Sequence, residues 1–184
     1  NNFEEIKNAV ENSDVVINLC GILFENRKQK FNSIHADIPE SIAKLCAQSK
    51  VKKFIHVSAI GASKDSKSKY QQSKFLGEEK ALNNFNKTVI IRPSVVIGNE
   101  DNFTNLFAKL SLSPIIPVVN VNYKFEPIFV NDVARAILKA IETGFKNIVY
   151  VDLDAHHCDG VQDIFSENDN VSIISIHEKN RWPK

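Results

Sequence analysis

The chain has 184 residues, of which 43% are hydrophobic and 24% charged, and its formal net charge is +1. This length and composition suit a globular protein with a real core. No apolar run approaches the length of a membrane span, and no signal peptide is visible at the start. The lysines scatter among Asn and Ser without aromatic interleaving, which argues against nucleic acid as a partner.

The chain begins with a helix pattern followed by a strand pattern. Phe3, Ile6 and Val10 recur at three- and four-residue spacing, which predicts a helix over residues 2–12. Residues 14–21, DVVINLCG, form an apolar run too short for a helix. Such a run is typical of a parallel strand that is buried on both faces.

The same alternation recurs in the next segment. Residues 31–49 predict a helix with an apolar stripe, in which Pro39 marks a first turn or a kink. Residues 51–58, VKKFIHVS, predict a second parallel strand. The stripe consists of Ile34, Ile38, Ile42 and Leu45.

A third helix and strand complete the pattern. Residues 69–84 predict a helix that carries Tyr70 and Lys74, and residues 87–92 predict a strand that Pro93 ends. Alternating strands and helices indicate a doubly wound parallel α/β sheet. Ligands in such sheets bind beyond the carboxyl ends of the strands.

The following elements are shorter. Residues 101–110 predict a short helix, and 113–120 predict a loop or edge strand because the stretch contains two prolines. A further strand then leads to a helix that is capped by Asn131 or Asp132 and that stops at Gly144.

Tyr70 and Lys74 are candidate catalytic residues. Four residues apart on a helix, they share a face. A Lys ammonium next to a phenol would lower the phenol pKa and make Tyr70 a usable proton donor and acceptor, while Ser58, at the end of a strand, could orient a carbonyl. The alternatives are a solvated helix face for the pair and a strand-end cap for Ser58.

Four stretches together resemble one family. VVINLCG, FIHVSAIGAS…YQQSK, IIRPSVVIG and FEPIFVNDVARAI resemble, in order and spacing, the extended and atypical short-chain dehydrogenase/reductases, over about residues 3–142. The nearest likeness is to the branch containing the dehydrogenase-like accessory subunit of respiratory complex I and its bacterial relatives. The resemblance implies NAD or NADP as cofactor, respiratory-chain subunits as partners, and a cytoplasmic location or one at the respiratory membrane.

The resemblance also implies roles for residues. Tyr70 and Lys74 would hold the nicotinamide ribose, and Ser58 with Tyr70 would form the catalytic pair. The interval from Ser58 to Tyr70 is short for an active sugar epimerase, which favours cofactor contact over catalysis. Leu19, Cys20 and Gly21 would lie along the dinucleotide, and Pro93, Ser94, Val95 and Val96 would close over the nicotinamide.

The glycines depart from the family pattern at the front. The family begins with a strand, a Gly-rich turn and a helix whose amides bind the pyrophosphate. No two of the 6 glycines here are close enough to form that turn. We therefore expect a Rossmann-like sheet that lacks the first βαβ unit and binds a dinucleotide weakly by itself. The absence of Met also predicts that Asn1 is not the native start.

The last forty residues have another character. An apolar stretch, KNIVYV, ends in Asp152, Asp154 and His156, and alternate residues of a strand point the same way. Two carboxylates and an imidazole on one side suit half of a site for zinc or another divalent ion. The alternative is an acidic strand end with a capping His.

Residues 145–184 resemble the zinc-dependent histone deacetylase and acetylpolyamine amidohydrolase superfamily. That likeness implies zinc ligation by Asp154 and His156, and a neighbouring alkali-ion site at Asp152 and Ser175. The family also needs a further Asp ligand downstream and a His-His pair upstream for general-base work. Neither is present here, since the upstream histidines, His35 and His56, lie in the dehydrogenase-like part. We expect no deacetylase activity, and zinc only if the site were completed by other residues.

The sequence thus predicts two parts, a partial NAD(P)-binding Rossmann-like domain at 1–144 and a deacetylase-like C-terminal α/β fragment at 145–184, joined near 143–147. The leading hypothesis is a truncated, non-catalytic NAD(P)-binding protein. The alternatives are an active reductase or epimerase, with Tyr70 as acid/base and Lys74 as its activator, a metal-dependent deacylase, and a gene remnant without function.

The three cysteines, Cys20, Cys46 and Cys158, are widely spaced and form no Cys-x-x-Cys pair. Such cysteines predict a reducing compartment, in which they behave as small apolar side chains.

Overall fold

A computed structural model describes residues 2–113, 126–141, 148–152 and 171–175 of the chain. Five parallel strands form one sheet, and a second sheet has two short parallel strands. In chain order the elements are α1 (Asn2–Glu11), β1 (Val15–Asn18), a π-helical turn (Ser33–Asp37), α2 (Ile38–Gln48), β2 (Lys53–Val57), α3 (Lys69–Asn84), β3 (Thr88–Ile91), β4 (Val96–Ile97), α4 (Asn102–Leu110), β5 (Ile128–Phe129), α5 (Val130–Ile141), β6 (Ile148–Asp152) and β7 (Val171–Ser175).

The order of strands in the large sheet is β3-β2-β1-β6-β7. Helices cover both of its faces, because the side chains of β1 and β2 alternate between two apolar clusters. Val16 and Phe54 pack with α1, α2 and α3, whereas Ile17 and Ile55 pack with α5. The predicted doubly wound α/β fold is therefore confirmed.

The predicted elements occur with shorter strands and one altered helix. The apolar run at 14–21 forms a strand only from Val15 to Asn18, because the chain then turns beyond the sheet. The helix predicted for 31–49 contains the π-helical turn, and α2 begins at Ile38 with Pro39 in its first turn, where proline is tolerated.

The predicted cap of α5 is wrong. The helix begins at Val130, directly after the two-residue strand β5, so Asn131 and Asp132 lie inside its first turn. The pairing of β5 with β4 explains this start, because it holds the chain extended only as far as Phe129. In the first turn, the carboxylate of Asp132 suits the positive end of the helix dipole.

The C-terminal strands extend the large sheet. β6 lies beside β1, with Val15 opposite Ile148, and β7 lies beside β6, with Asp152 opposite Ser175. The apolar strand predicted to lead into Asp152 is present as β6, and Ser175 is the last residue of β7 rather than a residue after it. Asp154, His156, Cys158, most of 113–120 and the predicted join lie outside the described residues.

Two further expectations concern the burial of the cysteines and the absence of a membrane-spanning helix. Cys20 and Cys46 are buried, as expected for small apolar side chains, and burial raises the pKa of the Cys46 thiol to about 12. Of the helices that the structure describes, none combines the length and apolar character that crossing a membrane requires.

Candidate functional site

The carboxyl ends of β1, β2 and β3 meet at one edge of the sheet, where the predicted site residues were expected. The Ser58 N–H donates to the Ile91 carbonyl at 2.8 Å, and the Ile60 N–H donates to the Pro93 carbonyl at 2.9 Å. The chain after β2 and the chain after β3 therefore run side by side beyond the sheet. The structure brings Ser58 and Pro93 together.

Lys74 lies beneath the turns at this edge. Its side chain is 4% exposed, and its Nζ donates to the Val57 carbonyl at 3.4 Å. A Cβ on Gly21 would lie 3.2 Å from the same Nζ, so the missing side chain leaves room for the ammonium. Burial lowers the pKa of Lys74 to about 8, although the nearby Cys20 and Glu78 oppose the shift.

Tyr70 does not have the environment that the sequence predicted. Its ring lies edge-on to the rings of Phe31 and His35, at centroid distances of 5.9 Å and 5.2 Å. Burial raises the pKa of the phenol. The prediction that Lys74 lowers this pKa is wrong, because the Lys74 ammonium is turned to the Val57 carbonyl and the cost of desolvating a phenolate prevails.

Ser58 is buried rather than open to a ligand. The residue is 4% exposed, and among the described residues its Oγ has no hydrogen-bond partner. A hydroxyl left unpaired in the interior costs free energy unless something else satisfies it. Catalysis by Ser58 with Tyr70 therefore stays a prediction, and the site as it stands presents no open Ser58 hydroxyl.

The other predicted cofactor contacts line the same edge in different ways. Leu19 is partly buried and packs against the cluster under α5, whereas the Cys20 side chain is fully buried. The Cys20 N–H donates to Asn18 Oδ1 at 3.1 Å. Cys20 therefore offers no exposed side-chain atom at this edge.

The segment from Pro93 to Val96 leads from the large sheet to the small one. It is partly buried throughout, and the Val95 carbonyl accepts a hydrogen bond of 3.0 Å from the Ile128 N–H. Beyond it, a cleft of about 600 Å³ lies between β4, β5 and the start of α4. Asp101 in this cleft caps α4 by accepting from the Thr104 N–H, so its carboxylate is already satisfied.

Two buried histidines belong to the site and were not predicted. On the α3 side of the sheet, Asn18 lies beside His56 in register, with 3.0 Å between Asn18 Nδ2 and His56 Nδ1. His35 reaches the same layer from the π-helical turn. Burial lowers the pKa of His35 to about 4 and that of His56 to about 3, with the positive charge of Lys74 adding to both shifts.

Sequence signals for these histidines exist but are weak. His56 alternates with Phe54 and Ser58 on one face of its strand, which predicts that it points inward. His35 lies next to the apolar position Ile34 in the helix stripe. Neither pattern reveals a polar partner on another element.

Glu78 and Arg92 form a second pair that was missed. Arg92 Nε donates to Glu78 Oε1 at 2.9 Å, and a second guanidinium nitrogen contacts the other carboxylate oxygen. Glu78 is 3% exposed and lies one helical turn beyond Lys74, which is a spacing that the sequence did display. The pair ties the end of β3 to α3.

A metal centre is not assembled within the described ranges: no group of three or more His, Cys, Asp and Glu side chains there could hold a metal ion. Asp152 and Ser175 are opposite one another at the carboxyl ends of β6 and β7. Asp154 and His156 lie outside the described residues, so the predicted zinc ligands stay a prediction.

Two known protein families match this chain. The sequence pattern of the NAD dependent epimerase/dehydratase family matches residues 1–151. The chain belongs to this family. The resemblance to dehydrogenase/reductases is thereby confirmed. The pattern of the histone deacetylase domain matches residues 128–184, which confirms that the C-terminal part is similar to a piece of that domain.

Among the curated relatives, the chain is 39% identical over 139 residues to the mitochondrial NADH dehydrogenase (ubiquinone) 1 alpha subcomplex subunit 9 of Mus musculus, over 74% of this chain. It is 36% identical to the protein of that name from Dictyostelium discoideum, over 76% of this chain. The chain spans only 37% and 39% of the lengths of these two relatives. Histone deacetylase 6 of Arabidopsis thaliana is 40% identical over 50 residues, covering 27% of this chain and 10% of that protein.

Solved structures share the fold at low sequence identity. MoeE5 in complex with UDP-glucuronic acid and NAD superposes with a TM-score of 0.62 at 14% identity, covering 94% of this chain and 69% of that one. A dTDP-4-dehydrorhamnose reductase from Clostridium acetobutylicum gives a TM-score of 0.58 at 18% identity, covering 93% and 68%. The coverage includes nearly all of this chain and confirms the Rossmann-like architecture.

Proposed function

We propose that the chain is part of a nicotinamide dinucleotide-binding protein that holds NAD or NADP without turning it over. The family is named for its use of NAD, and the described solved structures include one with NAD bound. Gly21, Lys74 and the Pro93 segment would contact the dinucleotide at the carboxyl edge of the sheet, which is where such sheets bind ligands.

The environment of Tyr70 carries the non-catalytic part of the proposal. A tyrosine that transfers protons near neutral pH needs a lowered pKa, whereas this phenol packs against two rings and burial raises its pKa. Ser58 Oγ, the expected partner in orienting a carbonyl, is buried in the same structure. The arrangement favours a bound cofactor over a reacting one.

Binding and turnover are tested separately on the purified chain. Titration with NADH and NADPH, followed by their fluorescence, measures affinity, and absorbance follows any oxidation in the presence of small carbonyl compounds and nucleotide sugars. We expect binding without oxidation, at the same background rate in the wild type and in Tyr70→Phe. Oxidation by the wild type that Tyr70→Phe abolishes would instead establish the alternative, an active reductase or epimerase.

A charge-matched pair of variants locates the dinucleotide. Lys74→Met removes the buried ammonium, and Lys64→Met removes an exposed one from the loop before α3. We expect Lys74→Met to weaken dinucleotide binding about tenfold, as for a hydrogen bond to a charged group, and Lys64→Met to leave it unchanged. Equal affinities for both variants would remove Lys74 from the binding site.

Assembly with respiratory-chain subunits is the second part of the proposal. It is supported by the likeness to subunits named as mitochondrial NADH dehydrogenase components. We expect the native protein to sediment with membranes that carry NADH dehydrogenase activity and to co-purify with that complex. Recovery in the cytoplasmic fraction alone, without those subunits, would contradict this part.

The C-terminal match gives a further candidate, a zinc-dependent deacylase fragment. We propose no deacetylase activity for this chain alone, because it supplies neither the downstream Asp ligand nor the upstream His-His pair that the family needs. Metal analysis should find zinc well below one equivalent. Zinc-dependent release of acetate from an acetyl-lysine peptide, lost in His156→Ala, would overturn this proposal.

The division into 1–144 and 145–184 also stays a proposal. Sequencing the source DNA in one read through both flanks would test it. An unbroken frame through 143–147 with a Gly-rich strand-turn-helix upstream would support a genuine dinucleotide-binding protein. A stop or frameshift at that join would favour a remnant without function.

A further inference from the structure

His35 occupies an unusual position between two parts of the proposed binding edge. Its side chain is fully buried, and it belongs to the π-helical turn that precedes α2. The Ile22 N–H donates to His35 Nε2 at 3.0 Å, and His35 Nδ1 lies 2.8 Å from Ser73 Oγ. One imidazole thus joins the turn after β1 to the first part of α3.

The directions of these hydrogen bonds fix the state of the ring. A backbone amide can only donate, so Nε2 of His35 accepts, and the neutral ring therefore carries its proton on Nδ1. That proton is donated to Ser73 Oγ, and the Ser73 hydroxyl donates onward to the Tyr70 carbonyl at 2.7 Å. The bonds run in one consistent direction from Ile22 to Tyr70.

We propose that His35 is a positioning residue that ties the turn at Gly21 and Ile22 to the helix carrying Tyr70 and Lys74. The two sides of the binding edge are then held at a fixed spacing when no ligand is bound. This inference rests on the proposed dinucleotide binding for its purpose, but its geometry can be tested without any cofactor.

The packing around the His35 ring supports a fixed spacing between the π-helical turn and α3. The Phe31 ring stacks on His35 at a centroid distance of 5.3 Å, and the Tyr70 ring meets it edge-on. The backbone is held as closely as the side chain, since a Cβ on Gly77 would lie only 1.8 Å from the His35 carbonyl oxygen. The turn and α3 are therefore in direct main-chain contact.

His56 provides an internal reference for the first experiment. Asn18 Oδ1 accepts from the Cys20 N–H, so the Asn18 amide nitrogen, Nδ2, is the group that faces His56 and donates to its Nδ1. The neutral His56 ring therefore carries its proton on Nε2. Nitrogen NMR of the wild type at neutral pH should find opposite tautomers, Nδ1–H for His35 and Nε2–H for His56. An Nε2–H or a doubly protonated ring at His35 would overturn the proposal.

Two substitutions of His35 then test its two hydrogen bonds separately, the bond at Nε2 and the bond at Nδ1. The Gln side chain places an amide oxygen near the position of Nε2, whereas the Asn side chain reaches only the position of Nδ1. We expect His35→Gln to keep the Ile22 amide protected from hydrogen exchange and His35→Asn to speed its exchange about tenfold or more. Equal exchange in both variants, with unfolding midpoints matched, would show that Nε2 does not hold the turn.

Dinucleotide affinity supplies the functional readout. We expect His35→Asn and Ser73→Ala to weaken NADH binding about three- to tenfold and His35→Gln to restore most of the loss in His35→Asn. Wild-type affinity in every variant would overturn the positioning role. If the wild type itself binds no dinucleotide, the proposed function fails, while the tautomer and exchange measurements still decide whether His35 ties the turn to α3.

Discussion

The α5 face of the sheet is apolar along its strands, whereas the opposite face changes from apolar to polar as β1 and β2 approach their carboxyl ends. On the α5 face, Val15, Ile17 and Ile55 pack with the apolar stripe of the helix. On the α3 face, Val16 and Phe54 are followed by Asn18 and His56. The same two strands therefore present apolar side chains on one face and buried polar side chains at the carboxyl end of the other.

This difference teaches where stability and chemistry reside. The α5 face is held chiefly by apolar packing, with a hydrogen bond from Lys53 Nζ to the Ala140 carbonyl at 2.5 Å. Its apolar residues could therefore be exchanged for others of similar volume at modest cost. On the α3 face Asn18 pairs with His56 and His35 pairs with Ser73, each across two elements, and such networks specify one arrangement. The candidate site lies at the polar end because that end gathers buried donors, acceptors and an ammonium.

The largest expected effect breaks the contact between α3 and the π-helical turn. In Gly77→Ala, the new Cβ would lie 1.8 Å from the His35 carbonyl oxygen, and both groups belong to helical backbone that cannot yield cheaply. We expect a loss of unfolding free energy of about 3 kcal/mol or more. The measurement is the shift of the urea unfolding midpoint.

Gly21→Ala is the matched control for Gly77→Ala, because its Cβ would approach side-chain atoms and no backbone: Lys74 Nζ at 3.2 Å and His35 Nε2 at 3.9 Å. The control should lose much less stability than Gly77→Ala. Comparable losses in the two variants would contradict the close main-chain contact of α3 with the turn.

A cavity on the α5 face should cost stability without affecting ligand binding. Ile137 is 4% exposed and packs under the sheet, so Ile137→Ala should lose about 3 kcal/mol of unfolding free energy. Arg135→Ala, on the exposed side of the same helix, should change it by about 0.5 kcal/mol at most. Thermal unfolding and NADH titration of both variants provide the measurements. A loss of affinity in folded Ile137→Ala would contradict the division between the two faces.

The smallest predicted effect is a pH dependence that belongs to the α3 face. Burial lowers the pKa of His35 from 6.5 to about 4 and that of His56 to about 3, so the unfolded chain binds more protons at mildly acid pH. The contribution of these histidines to the free energy of unfolding is therefore fully present above the unfolded-state pKa of 6.5. It is lost as the pH falls from there toward the folded-state pKa values. Between pH 7 and pH 5.5 we expect a loss of about 1 kcal/mol for each histidine.

Urea unfolding across this pH range measures the slope, and His35→Gln provides the control because it removes one of the two buried imidazoles. The variant should lose a smaller amount of stability on acidification than the wild type. An unchanged slope would contradict the burial of a neutral imidazole at position 35.

Sequence reasoning reached the local elements and missed their polar connections. The sequence predicted α3 at its observed bounds and placed Tyr70 and Lys74 on it. It gave no sign that the Tyr70 ring would meet Phe31 and His35, because these rings come from a segment more than thirty residues away. The environment of Tyr70 could therefore not be predicted from its neighbours in the helix.

What the sequence by itself determined is the alternation of strands and helices, the carboxyl-edge location of Gly21, Ser58 and Pro93, and the change of character after residue 145. These follow from periodicity and local residue type, which act over a few residues. Only the tertiary structure decided that Lys74 lies beneath Gly21 and that His35 joins Ile22 to Ser73. The physical reason is that burial and hydrogen-bond partners depend on which distant segments meet, and that is set by packing of the whole sheet rather than by any local pattern.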